Sequence, residues 1–272
     1  MTQPICLYRA SSMDRYELQS AKEAGFLCVS QRSLVPSNSV VLARYSALPF
    51  YRELEADLRN NQSTLLNTHQ EHEWIANMDW AFDPDIGPLT FLTWTDLSQV
   101  PKDKGPFVLK GKTNSKKQRW SSMMFASTWE EASDVYSRLS DDGLIGDQGI
   151  VIRKYVPLYT YFKAIGGLPI TKEYRAFILD GKLLSVDFYW EAFRDDFPFH
   201  HQIPPTTDEI DHTFLQEVIR RVGDRVRFYV ADIAQDMTGL WWLVELNDGQ
   251  MSGLSGNDPD ILYRRLYKVL SQ

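Results

Sequence analysis

With 272 residues, 43% of them hydrophobic, the chain has enough apolar material for one large core or two to three lobes, and nothing in it points to disorder. A net charge of -7 at pH 7 argues against a general nucleic-acid surface while leaving room for a local basic groove. Cys6 and Cys28 are too few for a disulfide framework, no basic-then-apolar leader follows Met1, and no apolar run reaches the roughly 18 residues of a spanning helix, so the expectation is a cytoplasmic protein without a membrane segment.

The first third alternates strand and helix. Ile5–Tyr8 reads as a strand, 14–24 as a helix stopped by Gly25, and 26–29 as a second strand. Val40–Arg44 precedes a helix opened by Pro49 and running through Arg59, and strand 64–66 precedes a helix starting at Thr68. This is an α/β unit, and the turn-rich Asp83-Pro-Asp-Ile-Gly-Pro88 marks its end. Strand 89–94 and a short helix capped by Thr95 or Asp96 follow. Next come strand 105–110 ending in Lys110, the polar loop 111–120, strand 123–126, a helix capped by Ser127 or Thr128 and reaching about Leu139, and strand 149–156. In the last third, strands Glu173–Leu179 and 182–189 flank Asp180-Gly181, a strong hairpin signal. A helix over 208–222, two strands joined around Asp236-Met-Thr-Gly239, and a helix over Pro259–Leu270 complete the chain. The boundaries predict an α+β protein divided into 1–88, a central lid-like lobe 89–156 and a C-terminal lobe 157–272.

The second hairpin carries the sharpest chemistry. With the turn centred on Thr238-Gly239, Asp232 falls opposite Glu245, and period-2 alternation puts Asn247 on the face of Glu245. Facing carboxylates on a half-buried ribbon repel and lose hydration, so a cation between them is the readiest compensation, and Mg2+ shared with a phosphate suits two carboxylates and an amide oxygen. The plainer alternative is a hairpin whose acids face water. Lys110 stands where a strand passes into a loop carrying Lys112, Lys116, Lys117 and Arg119, which supplies backbone N–H groups and cations for an oligophosphate. Neither a Gly-x-x-x-x-Gly-Lys-Ser/Thr run nor a Gly-x-Gly-x-x-Gly turn is present, so these are not the usual phosphate loops.

Taken together, these segments resemble the ATP-grasp superfamily over about 89–254, and the ending Glu245-Leu-Asn-Asp-Gly249 with Ser252-Gly-Leu254 is similar more narrowly to a divergent clade found in bacteria and phages. The resemblance implies that Asp232, Glu245 and Asn247 hold Mg2+ against the phosphates of ATP, and that Lys110 contacts those phosphates while the loop with Lys112 and Lys116 closes over them. It implies that the interdomain strand, Arg153 with the backbone of Lys154, Tyr155 and Val156, lies beside adenine, that Glu173 approaches the ribose, and that Arg175 meets the terminal phosphate as a catalytic group beside Lys110. This chain departs from the pattern in having only Gly111 where many relatives carry several small loop residues, in Arg153-Lys154 where an acidic residue often contacts adenine, and in lacking an upstream lysine near Asn77-Met-Asp-Trp80.

The expected activity is ATP-dependent ligation, in which a carboxylate becomes an acylphosphate that an amine or similar nucleophile attacks, with small-molecule or peptide substrates. The alternative is a non-catalytic ATP- and Mg2+-binding assembly factor with a protein partner, and a third reading is phosphoryl transfer to a hydroxyl. Other residues read more blandly. His69-Gln-Glu-His72 lacks a distant third metal ligand and reads as a polar helical face, His200-His201 as a solvated loop, and Ser252 and Ser255 lack a hydrolase elbow. The loop 194–204 is the candidate substrate side, and at most one of Trp241 and Trp242 faces a nucleotide cleft.

Overall fold

The computed structural model describes residues 3–11, 13–197 and 205–272. Its first section comprises β1 (Ile5–Tyr8), α1 (Arg15–Ala24), β2 (Leu27–Val29), β3 (Val40–Arg44), α2 (Tyr51–Asn60), β4 (Thr64–Leu65) and α3 (His69–Ala76). The strands form a parallel sheet in the order β2-β1-β3-β4. Local signals set the helix ends: the Asp14 side chain accepts from Glu17 N, Gly25 takes the left-handed conformation (φ 109°) that stops α1, and Thr68 with Glu71 forms a capping box at α3.

The central section holds β5 (Thr93–Trp94), β6 (Phe107–Gly111), α4 (Trp120–Met123), β7 (Phe125–Ala126), α5 (Trp129–Ser140), α6 (Ile145–Gln148) and β8 (Ile150–Lys154), with an antiparallel sheet ordered β5-β8-β6-β7. Two expectations are corrected. The strand over 89–94 shrinks to Thr93–Trp94 because Thr90 pairs elsewhere: it bridges Leu243, and its Oγ1 donates to the Leu243 carbonyl at 2.6 Å. The strand over 123–126 begins instead with a helical turn, which sends Met123 into the core under α5 and Trp120 towards a separate aromatic cluster around Phe188.

The final section contains a short antiparallel ribbon, β9 (Thr160–Lys163) and β10 (Pro169–Thr171), then β11 (Glu173–Leu179), β12 (Lys182–Phe188), α7 (His212–Val222), β13 (Phe228–Gln235), β14 (Trp241–Asp248) and α8 (Pro259–Leu270). Its antiparallel sheet runs β12-β11-β13-β14. Asp180 (φ 47°) and Gly181 (φ 71°) make the expected tight turn. Helix α7 starts later than expected because Asp211, not Asp208, caps it. No helix of the described residues is long and apolar enough to cross a membrane.

Alternation along this sheet creates the site. One face presents Tyr174, Ala176, Ile178, Tyr229, Ala231 and Ile233, all buried in one cluster with α7. The other face changes character partway along each strand. Phe177, Leu179, Phe228 and Val230 pack against α8, α1 and the N-terminal sheet, whereas Glu173, Arg175 and Asp232 occupy the continuation of the same face. The apolar half is covered, and the charged half forms the floor of a cleft under the central sheet.

Candidate active site

β13 and β14 place Asp232 opposite Glu245 and Val230 opposite Asn247, so the three residues share a face. The hairpin is less regular than expected. Gln235 pairs with Trp241 around a five-residue loop ordered by Asp236, whose Oδ1 accepts from Thr238 N, Thr238 Oγ1 and Leu240 N. A β-bulge between Asp232 and Ile233 then shifts the register by one and leaves Val244 unopposed. Its free carbonyl accepts from Arg153 Nη1 at 2.6 Å. Arg153 also donates to Thr90 Oγ1 at 2.7 Å and lies over the Phe91 ring, so one guanidinium pins the bulge to the central sheet. Burial drives Arg153 down to about 10, with the Glu245 charge opposing the shift.

Two cation–carboxylate pairs meet on this floor. Arg175 grips Asp232 in a fork, Nε to Oδ1 at 2.9 Å and Nη2 to Oδ2 at 2.8 Å, and donates to the Gly253 carbonyl through Nη1. Lys110, at the end of β6, binds Glu245. Burial works against the Glu245 carboxylate, but the charges of Lys110 and Lys117 outweigh it and hold the group at about 2. Asn247 Nδ2 lies 3.3 Å from Asp232 Oδ2. Among the described residues, no three His, Cys, Asp or Glu side chains cluster in a way that could hold a metal. The oxygen donors available are therefore two carboxylates and one amide, a hard set that suits Mg2+.

The charged floor separates two cavities. The first lies between the central and C-terminal sheets, with Lys110, Arg153, Lys154, Tyr155, Val156, Glu173 and Glu245 in its wall. Its apolar lining comes from Phe91, Val108, Met124, Leu168, Trp190 and Val244, a slot for a flat ring system. Lys154 N donates to Leu92 O and Tyr155 N to Pro106 O, so Val156 supplies the first amide of this segment that lacks an acceptor among the described residues. The Lys154 ammonium binds the Lys104 and Gly105 carbonyls. Glu173 accepts from Thr171 Oγ1 at 3.0 Å, and burial raises its carboxyl to about 7.

The second cavity, about 680 Å³, opens on the far side, towards the N-terminal section. Arg175, Asn247 and Asp248 line it together with Lys112, Asn114 and His72. Lys116, expected at the phosphates, points away from both cavities and pairs with Asp142 at 2.5 Å, because the chain turns at 117–119 before entering α4. Lys117 takes its place: it binds Tyr189 Oη and lies 4.4 and 4.9 Å over the Tyr189 and Trp190 rings, in the wall of the first cavity. Consecutive lysines in a polar loop gave no signal separating the two.

Among the described residues, Trp120 and Trp190 line the first cavity and Trp241 and Trp242 do not; Trp242 donates to Asp236, and Trp241 packs towards α7's core. Arg194 pairs with Glu191 in a 3-10 turn, and His200 and His201 lie outside the described residues. His69 sits on the surface with Glu73, as a polar helical face would have it, but His72 is buried, contrary to that expectation.

No curated protein matches the chain in sequence. Several solved structures share its fold at low identity. A RimK-domain ATP-grasp protein from Sphaerobacter thermophilus DSM 20745 superposes with a TM-score of 0.60 and 13% identity over 98% of this chain and 99% of the other. The ATP-grasp ligase PsnB, captured with a phosphomimetic variant of a minimal precursor, Mg and ADP, gives 0.58 and 12% over 100% and 97%. An L-amino acid ligase from Bacillus licheniformis gives 0.59 and 11% over 99% and 74%. An ATP-grasp domain model, that of family 3 within one clade of the superfamily, matches residues 96–266, more than half of the sequence and the whole of the cleft described above. The chain thus belongs to the ATP-grasp proteins, in family 3 of that clade.

Proposed function

We propose that the chain is an ATP-dependent ligase that converts a carboxylate to an acylphosphate and joins it to an amine, acting on amino acids or peptides. The observation that carries this reading is the meeting of the Lys110–Glu245 and Arg175–Asp232 pairs on a floor between two cavities. ATP occupies the first cavity, with its base in the apolar slot beside Tyr155 and Val156, its ribose towards Glu173, and its phosphates pointing at Lys110 and Lys117. Lys112, at the second cavity, approaches the phosphate tail from the other side. The acceptor carboxylate enters the second cavity, where Arg175 faces the transferred phosphoryl group. Asp232, Glu245 and Asn247 would hold Mg2+, which neutralises charge on the phosphate oxygens. Until phosphate and metal arrive, the lysine and arginine keep the two carboxylates from facing each other uncompensated. PsnB, with its precursor, Mg and ADP, and the L-amino acid ligase support the substrate class by likeness of fold.

The chemistry asks the protein for position and charge rather than for a nucleophile of its own. Arg175 contributes a fixed fork of donors, so Arg175→Lys, which leaves a cation for Asp232 but not the fork, should lower turnover about 100-fold while ATP still binds. The test is release of ADP and phosphate with a carboxylate and an amine supplied singly and together. Release only with both is expected; release that ignores the acceptors, or is unchanged in Arg175→Lys, contradicts the reading.

A further inference from the structure

The second cavity contains a group that the reading above leaves unused. His72, on α3, is only 6% exposed, and its Nδ1 lies 3.3 Å from Asp248 Oδ2. Asp248 is itself fixed. Its Oδ1 accepts from Asn67 Nδ2 at 2.8 Å and from Gln250 N at 3.0 Å, and its Oδ2 lies 3.1 Å from the Tyr51 hydroxyl. The Tyr51 ring stacks on the imidazole with centroids 4.7 Å apart. A carboxylate surrounded by donors takes a proton donor from the ring, so Nδ1–H donates to Asp248 and Nε2 carries the lone pair. Nε2 has no hydrogen-bond partner among the described residues, and His72 lines the cavity that Arg175 and Asn247 also line. A carboxylate-oriented imidazole with its basic nitrogen free at a ligand-sized cavity is the arrangement of a general base.

We infer that His72, oriented by Asp248, is the general base that deprotonates the amine attacking the acylphosphate; the inference rests on the ligase reading. The amine nitrogen forms a bond to the acyl carbon, the bond from that carbon to the phosphate oxygen breaks, and phosphate leaves with the electron pair. The proton lost by nitrogen passes to His72 Nε2 and from there to solvent. Around the ring, the charged and titratable groups are Asp248 from β14, Tyr51 from α2 and His69 from its own helix, with Lys112 and Arg175 at the same cavity. Those two cations disfavour an amine that remains protonated, so a base is needed where the acceptor must lose its charge.

The experiment separates the two half-reactions. Wild type, His72→Gln and His72→Ala are incubated with ATP, Mg2+, the twenty proteinogenic L-amino acids and a tryptic peptide digest, with and without hydroxylamine. Amide products and hydroxamates are read by mass. Hydroxylamine is neutral at neutral pH and needs no base, so hydroxamate reports acylphosphate formation alone and also reports a folded protein. His72→Gln should lose about 100-fold in amide formation, the scale of a removed general base, while hydroxamate falls by less than about threefold. Added imidazole should restore part of the amide formation in His72→Ala. Equal loss of both products, amide formation within about threefold of wild type, or no imidazole rescue would overturn the assignment. Wild-type hydroxamate without any amide would overturn the amine as nucleophile, and wild type yielding neither product would overturn the ligase reading and this inference with it.

Discussion

At the level of single residues, the cleft floor works because each carboxylate has a cation of its own, and losing one member exposes its partner. Glu245 sits at about 2 only because Lys110 and Lys117 outweigh its burial. Replacing it with Gln keeps the shape and removes the charge, so the roughly tenfold or greater tightening of ATP binding by Mg2+ that a phosphate-shared ion brings should shrink below about threefold. Calorimetric titration with and without the metal measures this, and an unchanged dependence on Mg2+ removes Glu245 from the ligand set. For Lys110→Ala the affinity for ATP should fall more than that for AMP, since the lost charge acts on the phosphate tail; equal losses point to unfolding or to an adenine-side role. Glu173 gives a pH signature. Its carboxyl rises from 4.5 to about 7, chiefly by burial. Between those values the folded chain keeps a proton that the unfolded chain has released, so this residue's contribution favours folding below the window and declines as pH rises through it, by on the order of 3 kcal/mol. Denaturant titrations on both sides of the window should show a flatter profile for Glu173→Gln than for wild type. An identical slope would mean that Glu173 is not the titrating group.

Among the elements, the loop between β6 and α4 behaves as a lid on this account. It is tied down by side-chain contacts at the surface, Thr113 and Asn114 to Gln148 and Lys116 to Asp142, each worth about 1 kcal/mol or less. Opening is therefore cheap until phosphates neutralise its cations. Trypsin should cut after Lys116 or Lys117 about tenfold more slowly with Mg-ATP than without it, and equal rates would count against a lid. At the far end of the hairpin, Gly249 lies so close to Phe228 that a Cβ there would sit 2.7 Å from the ring. Gly249→Ala should cost about 1–3 kcal/mol in thermal or urea unfolding, as overpacking does, and a neutral substitution would show that the loop gives way. The hairpin also shows what could be read from the chain. The facing of Asp232 and Glu245 followed from alternation and turn composition, as did the caps of α1, α3 and α5 and the Asp180-Gly181 turn, because these signals are local. The bulge at Val244, the choice between Lys116 and Lys117, the helical turn of α4 and the burial of His72 each depend on a partner distant in sequence. Arg153 meets Val244, Lys117 meets Tyr189, Met123 meets α5 and His72 meets Asp248; no local pattern encodes any of these pairs.

Across the whole molecule, Arg44 joins the N-terminal sheet to the lobe with the carboxylates. Its guanidinium binds Glu17 Oε1 at 2.6 Å, and Nη1 donates to the carbonyls of Gly249, Gln250 and Ser252. Tyr263 of α8 completes the network through Glu17. The loop that Arg44 holds also supplies the Gly253 carbonyl to Arg175, so the N-terminal section helps to set the cleft floor without entering it. Arg44→Met leaves Glu17 buried and unpaired and should cost about 3–5 kcal/mol in urea unfolding; a change below about 1 kcal/mol would show that water replaces the contacts. The same sections converge on the central claim, that a carboxylate is activated by phosphoryl transfer in this cleft. Its most direct measurement uses amino acids labelled with heavy oxygen in the carboxylate, incubated with the protein, ATP and Mg2+, followed by mass analysis of the released phosphate. The account predicts one labelled oxygen in each phosphate, passed on when the acylphosphate is attacked; ADP and unlabelled phosphate, or AMP and pyrophosphate, would contradict it.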